Sequence, residues 1–60
     1  MELNFFASML NPDMKIIVYD GEDADGVVRA KNVESSRYNG RMISDWVFSC
    51  TKPVVKVVLA

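Results

Sequence analysis

The strongest structural signal in this chain is the stretch "MKIIVYDGEDADGVVRAKNV", residues 14–33. Its first part, "MKIIVYD", is β-branched and aromatic and has no breaker before Gly21, which is typical of a β-strand. The next part, "GEDADG", has turn composition, and Asp25-Gly26 can take the positive φ angles that a tight connection needs. The run "VVRAKNV" (27–33) is predicted to form the second strand. The stretch therefore predicts a β-hairpin from Met14 to Val33.

The residues before this hairpin, "ELNFFASMLNPD" (2–13), predict a short amphipathic helix. Their larger apolar side chains have the spacing of one helical face, at Leu3, Phe6, Met9 and Leu10. Asn11-Pro12 ends the helix, because a residue before proline is pushed out of the helical region. A helix of about two turns cannot stand alone, so it must dock on the sheet.

Two further strands are predicted after the hairpin. "ESSRYNG" (34–40) breaks the strand pattern and predicts a turn, or one helical turn closed by Gly40. "RMISDWVFSC" (41–50) is the third strand, "TKP" a turn, and "VVKVVLA" (54–60) the fourth strand. The predicted fold is one small α+β domain over residues 1–60, with a short N-terminal helix packed on a four-stranded antiparallel sheet.

Alternation along the strands divides the side chains between two sheet faces. We expect the helix to cover Ile16, Val18, Val28, Ala30, Trp46, Phe48, Val55, Val57 and Leu59. The second face would keep Ile17, Tyr19, Val27, Ile43, Val47, Val54 and Val58, interleaved with Lys15, Arg29, Lys31 and Lys56. An exposed sheet face is usually mostly polar, so this apolar face predicts an interface. The ordinary alternative is that valine is common on sheet surfaces because of its β-propensity.

The fourth strand adds a second expectation about association. It is rich in valine and carries one charge, Lys56. If it is an edge strand, it is a template for pairing with a second copy or with another chain.

Length and composition also favour association. A chain of 60 residues buries only about 60% of its unfolded surface, so small domains often depend on disulfides, metals or oligomerisation. Cys50 is the only cysteine and there is no histidine, which excludes an intrachain disulfide and disfavours zinc. We therefore expect a homo-oligomer, most simply a dimer. The lone cysteine favours a reducing compartment, and no apolar run has the length of a membrane span.

The acidic residues of the predicted turn are Asp20, Glu22, Asp23 and Asp25. An EF-hand alignment with Gly26 at its sixth position lacks ligands at the first and twelfth positions. A solvated turn also lacks the pocket that acid–base catalysis needs, and we expect no cofactor, metal or enzymatic activity. A solubilising turn and a contact patch for a basic partner surface both remain open.

Three residues of the second half are candidate interface anchors, because their types dominate binding hot spots: Arg37, Tyr38 and Trp46. For Trp46, core packing is the alternative. Basic residues in this region suggest a nucleic-acid surface, but no motif spacing supports it, and the net charge of −1 opposes it.

The runs "LNPDMKIIVYD" (10–20) and "VESSRYNGRMISDW" (33–46) resemble segments of small phage and prophage proteins. In those proteins a short helix and a Pro-Asp turn lead into a four-stranded sheet. The resemblance implies a phage-encoded accessory protein of the anti-defence type, similar to anti-CRISPR proteins or to Hachiman anti-defence proteins. It identifies no individual binding residues.

The resulting prediction is a small phage protein in the cytoplasm of an infected bacterium. It would inhibit a host defence protein by direct contact, as a homodimer. One alternative is a dimer that sequesters a nucleotide or small ligand, with Arg29, Lys31 and Arg41 on its phosphates. A second alternative is a regulatory or nucleic-acid-binding module of a mobile element.

Overall fold

The computed structural model describes residues 1–60. Helix α1 spans Leu3–Ser8 and leads into strands β1 (Lys15–Asp20) and β2 (Asp23–Arg29). A single 3₁₀ turn, Ala30–Asn32, begins a connector that runs to residue 42, and strands β3 (Ile43–Phe48) and β4 (Val54–Leu59) complete the chain. No helix is both long and apolar enough to cross a membrane.

The four strands form one sheet in the order β2-β1-β4-β3. The predicted α+β fold is confirmed, but the sheet is mixed, because β1 and β4 are parallel. The connector carries the chain from β2 to the opposite edge, so β3 forms there and β4 returns into the centre. The expectation that β4 could be an edge strand is therefore wrong, since it pairs on both sides.

The hairpin of β1 and β2 is present, but its tight turn is not where the sequence predicted it. Asp20 pairs with Asp23, so the turn consists of Gly21 and Glu22, with Gly21 at φ 67°. A positive φ at the first of two turn residues is the pattern of a type II′ turn. Asp25-Gly26 lies inside β2, where Asp25 is the extra residue of a β-bulge.

The core lies between one sheet face and a layer made of α1 and the connector. Its buried side chains are Leu3, Phe6, Ala7, Ile16, Val18, Val28, Ala30, Val33, Tyr38, Ile43, Val55, Val57 and Leu59. Most of the face assigned to the helix is confirmed. Trp46 and Phe48 lie on that face at its rim, where they stay 39% and 50% exposed.

Two residues are placed differently from the prediction. Met9 follows the end of α1 and is exposed rather than docked. Ile43 was expected on the second sheet face but is 3% exposed in the core. The reason is a register shift between Ile43 and Asp45. Ile43 pairs with Leu59 and lies on the covered face, and the extra residue after it moves Asp45 and Val47 to the opposite face.

Candidate protein-binding surface

The sheet face opposite α1 has no layer over it, and we call it the open face. Strand register places these side chains on it: Lys15, Ile17, Tyr19, Val27, Arg29, Asp45, Val47, Val54, Lys56 and Val58. It thus contains all the apolar residues predicted for the second face except Ile43.

Exposure on the open face increases from the central strands to the edges. Ile17, Tyr19, Val54 and Val58 are half-buried by cross-strand neighbours. On the edge strands, Val27 and Val47 are 61% and 63% exposed. The open face is therefore a shallow apolar surface with its widest exposed area at both edges.

One end of the open face is basic. Lys15 and Arg29 are directly opposite each other on β1 and β2, and like charges in that position repel. Beside them is a depression of ≈ 450 Å³ whose charged lining is Lys15, Lys52 and Lys56. Its apolar lining comes from Ile17, Val27 and Val54, with Ser49 as the remaining contact. An anionic group placed there would relieve the repulsion.

The other end of the open face carries the acids. A second depression, of ≈ 380 Å³, is lined by Glu22 and Asp45 together with Tyr19, Gly21, Trp46, Val47, Lys56 and Val58. The Lys56 ammonium group is 6.0 Å from the centre of the Tyr19 ring. Asp20 and Asp23 flank the hairpin turn at this end, as expected for the predicted acidic patch. The surface therefore has a charge gradient along its strands.

Asp25 is separate from that patch, because it takes part in a contact between β2 and the connector. The Tyr38 hydroxyl donates to Asp25 Oδ2 at 2.8 Å, and the Arg37 guanidinium lies 2.8 Å from the same oxygen. Arg37 also donates to the Asp25 carbonyl at 3.1 Å. A Cβ atom on Gly26 would collide with the Tyr38 hydroxyl, so any larger residue there would force the Tyr38 side chain to move.

The interpretation of Tyr38 as a partner anchor is therefore wrong, because its side chain is buried, whereas Arg37 keeps an exposed side chain and stays a candidate. Tyr38 is 4% exposed and closes the core, while Arg37 covers part of the β2 edge. Burial raises the pKa of the Tyr38 hydroxyl, and its hydrogen bond to Asp25 raises it further. The sequence signal that could have identified this role is a tyrosine between polar residues, in a connector long enough to cross the sheet.

Two other predicted basic residues are also engaged within the chain. Lys31 Nζ lies 2.9 Å from Asp13 Oδ1, and Arg29 donates to the Asp13 carbonyl at 2.7 Å. The hydrogen bond from Lys31, together with its positive charge, lowers the pKa of Asp13. Lys31 belongs to the 3₁₀ turn rather than to β2, so it is not on the open face.

The three cations predicted to bind phosphates are not brought together within one chain. Arg29 is beside Lys15 at the start of β1, whereas Arg41 precedes β3 near the end of β4. The basic cluster that does form includes Lys52, which the sequence interpretation did not select. Its position in the turn before β4 could have suggested it, because β4 begins beside β1.

A second exposed surface was also missed. It consists of the exposed apolar side chains of β3, with Trp46 and Phe48 on the covered side and Val47 on the open face, and we call these three residues the β3 edge patch. The buried Phe6 ring connects it, with ring centres 5.2 Å from Trp46 and 6.1 Å from Phe48. Single-sequence alternation placed Trp46 and Phe48 on the correct face, but it could not show that β3 is an edge.

Comparisons with protein-family models, with curated proteins and with solved structures each found no match for this chain. No three potential metal ligands of the His, Cys, Asp and Glu types lie close enough together to hold an ion.

Proposed function

We propose that this chain is a protein-binding module that docks the basic end of its open face on an acidic surface of another protein. The supporting observation is the depression in which Lys15, Lys52 and Lys56 surround an apolar floor. No acidic side chain lines this depression, and Arg29 adds a further positive charge beside it. A carboxylate-rich partner surface supplies the complementary charge.

The two components of this surface have different roles in binding. The lysines increase the rate of association and select the charge of the partner. The half-buried Ile17 and Val54, with the exposed Val27, supply apolar area that excludes water once the partner has docked. A module of this kind acts by occupying a surface, without a cofactor or a reaction of its own.

We further propose that the partner is a bacterial defence protein, inhibited by this contact in the cytoplasm of a phage-infected cell. The support for a defence protein as the partner is the resemblance of residues 10–20 and 33–46 to small phage proteins. It also fits a short chain whose surface features are those of an interaction protein.

A plating assay tests the proposal. Cells that carry single defence systems and express the chain are challenged with phages that each system normally restricts. We expect the wild-type chain to restore plating on one system, and Val27→Asp and Lys56→Glu to abolish that restoration. Both side chains are exposed, so neither change disturbs the core.

The matched control is Asn32→Asp, which adds a carboxylate to an exposed position away from the open face. This variant should restore plating as well as the wild type does. If Val27→Asp and Lys56→Glu restore plating equally well, the open face is not the docking surface. If the wild-type chain restores plating on none of the defence systems, it does not inhibit any of the systems that were assayed.

The same three-lysine depression favours a second candidate function, the binding of a small anion with an apolar part. A thermal-shift screen with nucleotides and inorganic phosphate tests this alternative. Stabilisation that is lost in Lys15→Gln and Lys52→Gln would favour it over protein binding. An unchanged melting temperature at millimolar ligand would eliminate it.

A further inference from the structure

The outer edge of β3 has free backbone hydrogen-bonding groups. Ser49 donates to the Val54 carbonyl at 2.9 Å, and bonded pairs alternate along an antiparallel ladder. The backbone groups of Trp46 and Phe48 therefore point away from β4. The Trp46 N–H is satisfied by Asp45 Oδ1 at 2.8 Å, while the edge-facing groups of Phe48 remain available.

Only the start of this edge is covered by the chain itself. Ile43 donates to the Met1 carbonyl at 2.8 Å, and Glu2 forms an isolated bridge with Met42. This cover ends at Ile43. Beyond it, the edge carries no lysine, arginine or proline, which are residues that proteins use to prevent strand pairing.

The β3 edge patch adds apolar area to the backbone pairing. Trp46, Val47 and Phe48 are 39%, 63% and 50% exposed. At roughly 150–200 Å² for a large apolar side chain, the patch exposes about 270 Å². The apolar part of one side of a standard-size interface is on the order of 500 Å², so the patch supplies about half of it and the paired backbone edges supply polar area in addition.

We propose that β3 pairs antiparallel with β3 of a second copy about a two-fold axis at Val47. This register is self-complementary, as an isologous interface requires. It places Trp46 opposite Phe48 of the other copy twice, and Asp45 opposite Ser49. In this pairing the Trp46 N–H exchanges its bond to Asp45 Oδ1 for one to the Phe48 carbonyl of the other copy. No like charges meet, and the net charge of −1 per chain gives little repulsion between copies.

This dimer joins the two sheets into one of eight strands, four from each copy. The open faces become one continuous surface with a basic depression on each half. The dimer does not depend on the identity of any target. It differs from the dimers predicted from sequence, because it uses the β3 edge rather than the open face or β4.

Disulfide trapping tests this register. Val47→Cys in a Cys50→Ser background places two cysteines at a directly opposed, non-hydrogen-bonded pair, within the Cα separation that a disulfide allows. The matched control is Val27→Cys with Cys50→Ser. Val27 has almost the same exposure, on the open face of the other edge strand.

We expect oxidation to cross-link Val47→Cys at least about tenfold faster than Val27→Cys, because a formed dimer raises the effective concentration of the paired thiols. Light scattering of the unmodified protein should give twice the 6.8 kDa of one chain. Equal cross-linking at both positions, or a mass of one chain at concentrations up to about 0.1 mM, would overturn the proposal. A monomer that still restores plating would overturn the dimer and leave the proposed function intact.

Discussion

The two edge strands of this sheet are protected to very different degrees. On β2, a bulge at Asp25 interrupts the ladder, and Arg37 and Tyr38 hold the connector against it. On β3, the N-terminus pairs with Ile43, a register shift follows before Asp45, and the Asp45 side chain accepts from the Trp46 N–H, so protection ends at Trp46. The β2 edge also carries Asp23, Asp25 and Arg29, whereas β3 carries only Asp45.

This difference indicates which edge is available for association. Charges, bulges and covering side chains are the devices by which natural sheets avoid edge-to-edge pairing. The chain uses all of them on β2 and few on β3. The last residues of β3 are flanked by exposed aromatic side chains and lack these devices, so they are an expected place for a partner strand.

The largest effect should come from removing the contact that closes the β2 side. Tyr38→Ala deletes a buried aromatic ring and leaves Asp25 with only Arg37 as a partner. We expect it to lower the free energy of unfolding by about 3–5 kcal/mol, measured by urea denaturation. Phe48→Ala, at the half-exposed rim, should cost less than half as much.

If Tyr38→Ala is too unstable to purify, Tyr38→Phe measures the hydroxyl alone, with an expected loss of about 1 kcal/mol. Equal losses for Tyr38→Ala and Phe48→Ala would contradict the distinction between a protected edge and an open one.

A smaller loss of stability is expected from disturbing the close approach of Gly26 and Tyr38. Gly26→Ala forces the Tyr38 hydroxyl to move, and should destabilise the fold by about 1–3 kcal/mol. In a Tyr38→Phe background the colliding oxygen is absent, so the same substitution should cost much less. A double-mutant cycle by chemical denaturation measures this coupling. Additive losses would show that the collision does not determine the choice of glycine.

The smallest effect concerns the ion pair beside β2. Since the folded-state pKa of Asp13 lies below its ordinary value of 3.8, the pair stabilises the fold above that pH and is lost as the pH falls through the lower, folded-state pKa. Asp13→Asn should therefore be slightly less stable than the wild type at neutral pH and equal to it in acid. Thermal melts across this range, repeated in high salt, measure the difference. A difference that persists in acid would assign it to another cause.

Local patterns in the sequence predicted the elements and most of the core. The alternation in "MKIIVYD" and "VVKVVLA" correctly separated Ile16 and Val57 from Ile17 and Lys56. It could not show strand order, because a parallel pairing of β1 with β4 depends on the path of the connector. The alternation also could not predict the two bulges, because an extra residue in a strand does not produce a recognisable pattern of apolar and polar residues. Ile43 was misplaced on that account.

The surfaces were predictable in part. The open face was expected from the excess of apolar residues over what one short helix can cover. Its basic depression depends on Lys52, which reaches Lys15 only through the parallel pairing of β1 and β4. The role of Tyr38 could not be derived from residue type, because tyrosine is equally suited to an interface and to a core with a hydrogen-bond partner.

Amide hydrogen exchange by NMR compares the two edges directly. The Ser49 N–H donates to the Val54 carbonyl on β4, and the Ala30 N–H donates to the Met14 carbonyl before β1. Because inward and outward amides alternate along an antiparallel strand, the amides of Phe48 on β3 and Val27 on β2 both point away from the neighbouring strand. We predict that the Phe48 amide is protected in the wild type and loses its protection in Val47→Lys, while Val27 exchanges freely in both. Equally fast exchange at Phe48 and Val27 in concentrated wild-type protein would contradict the account.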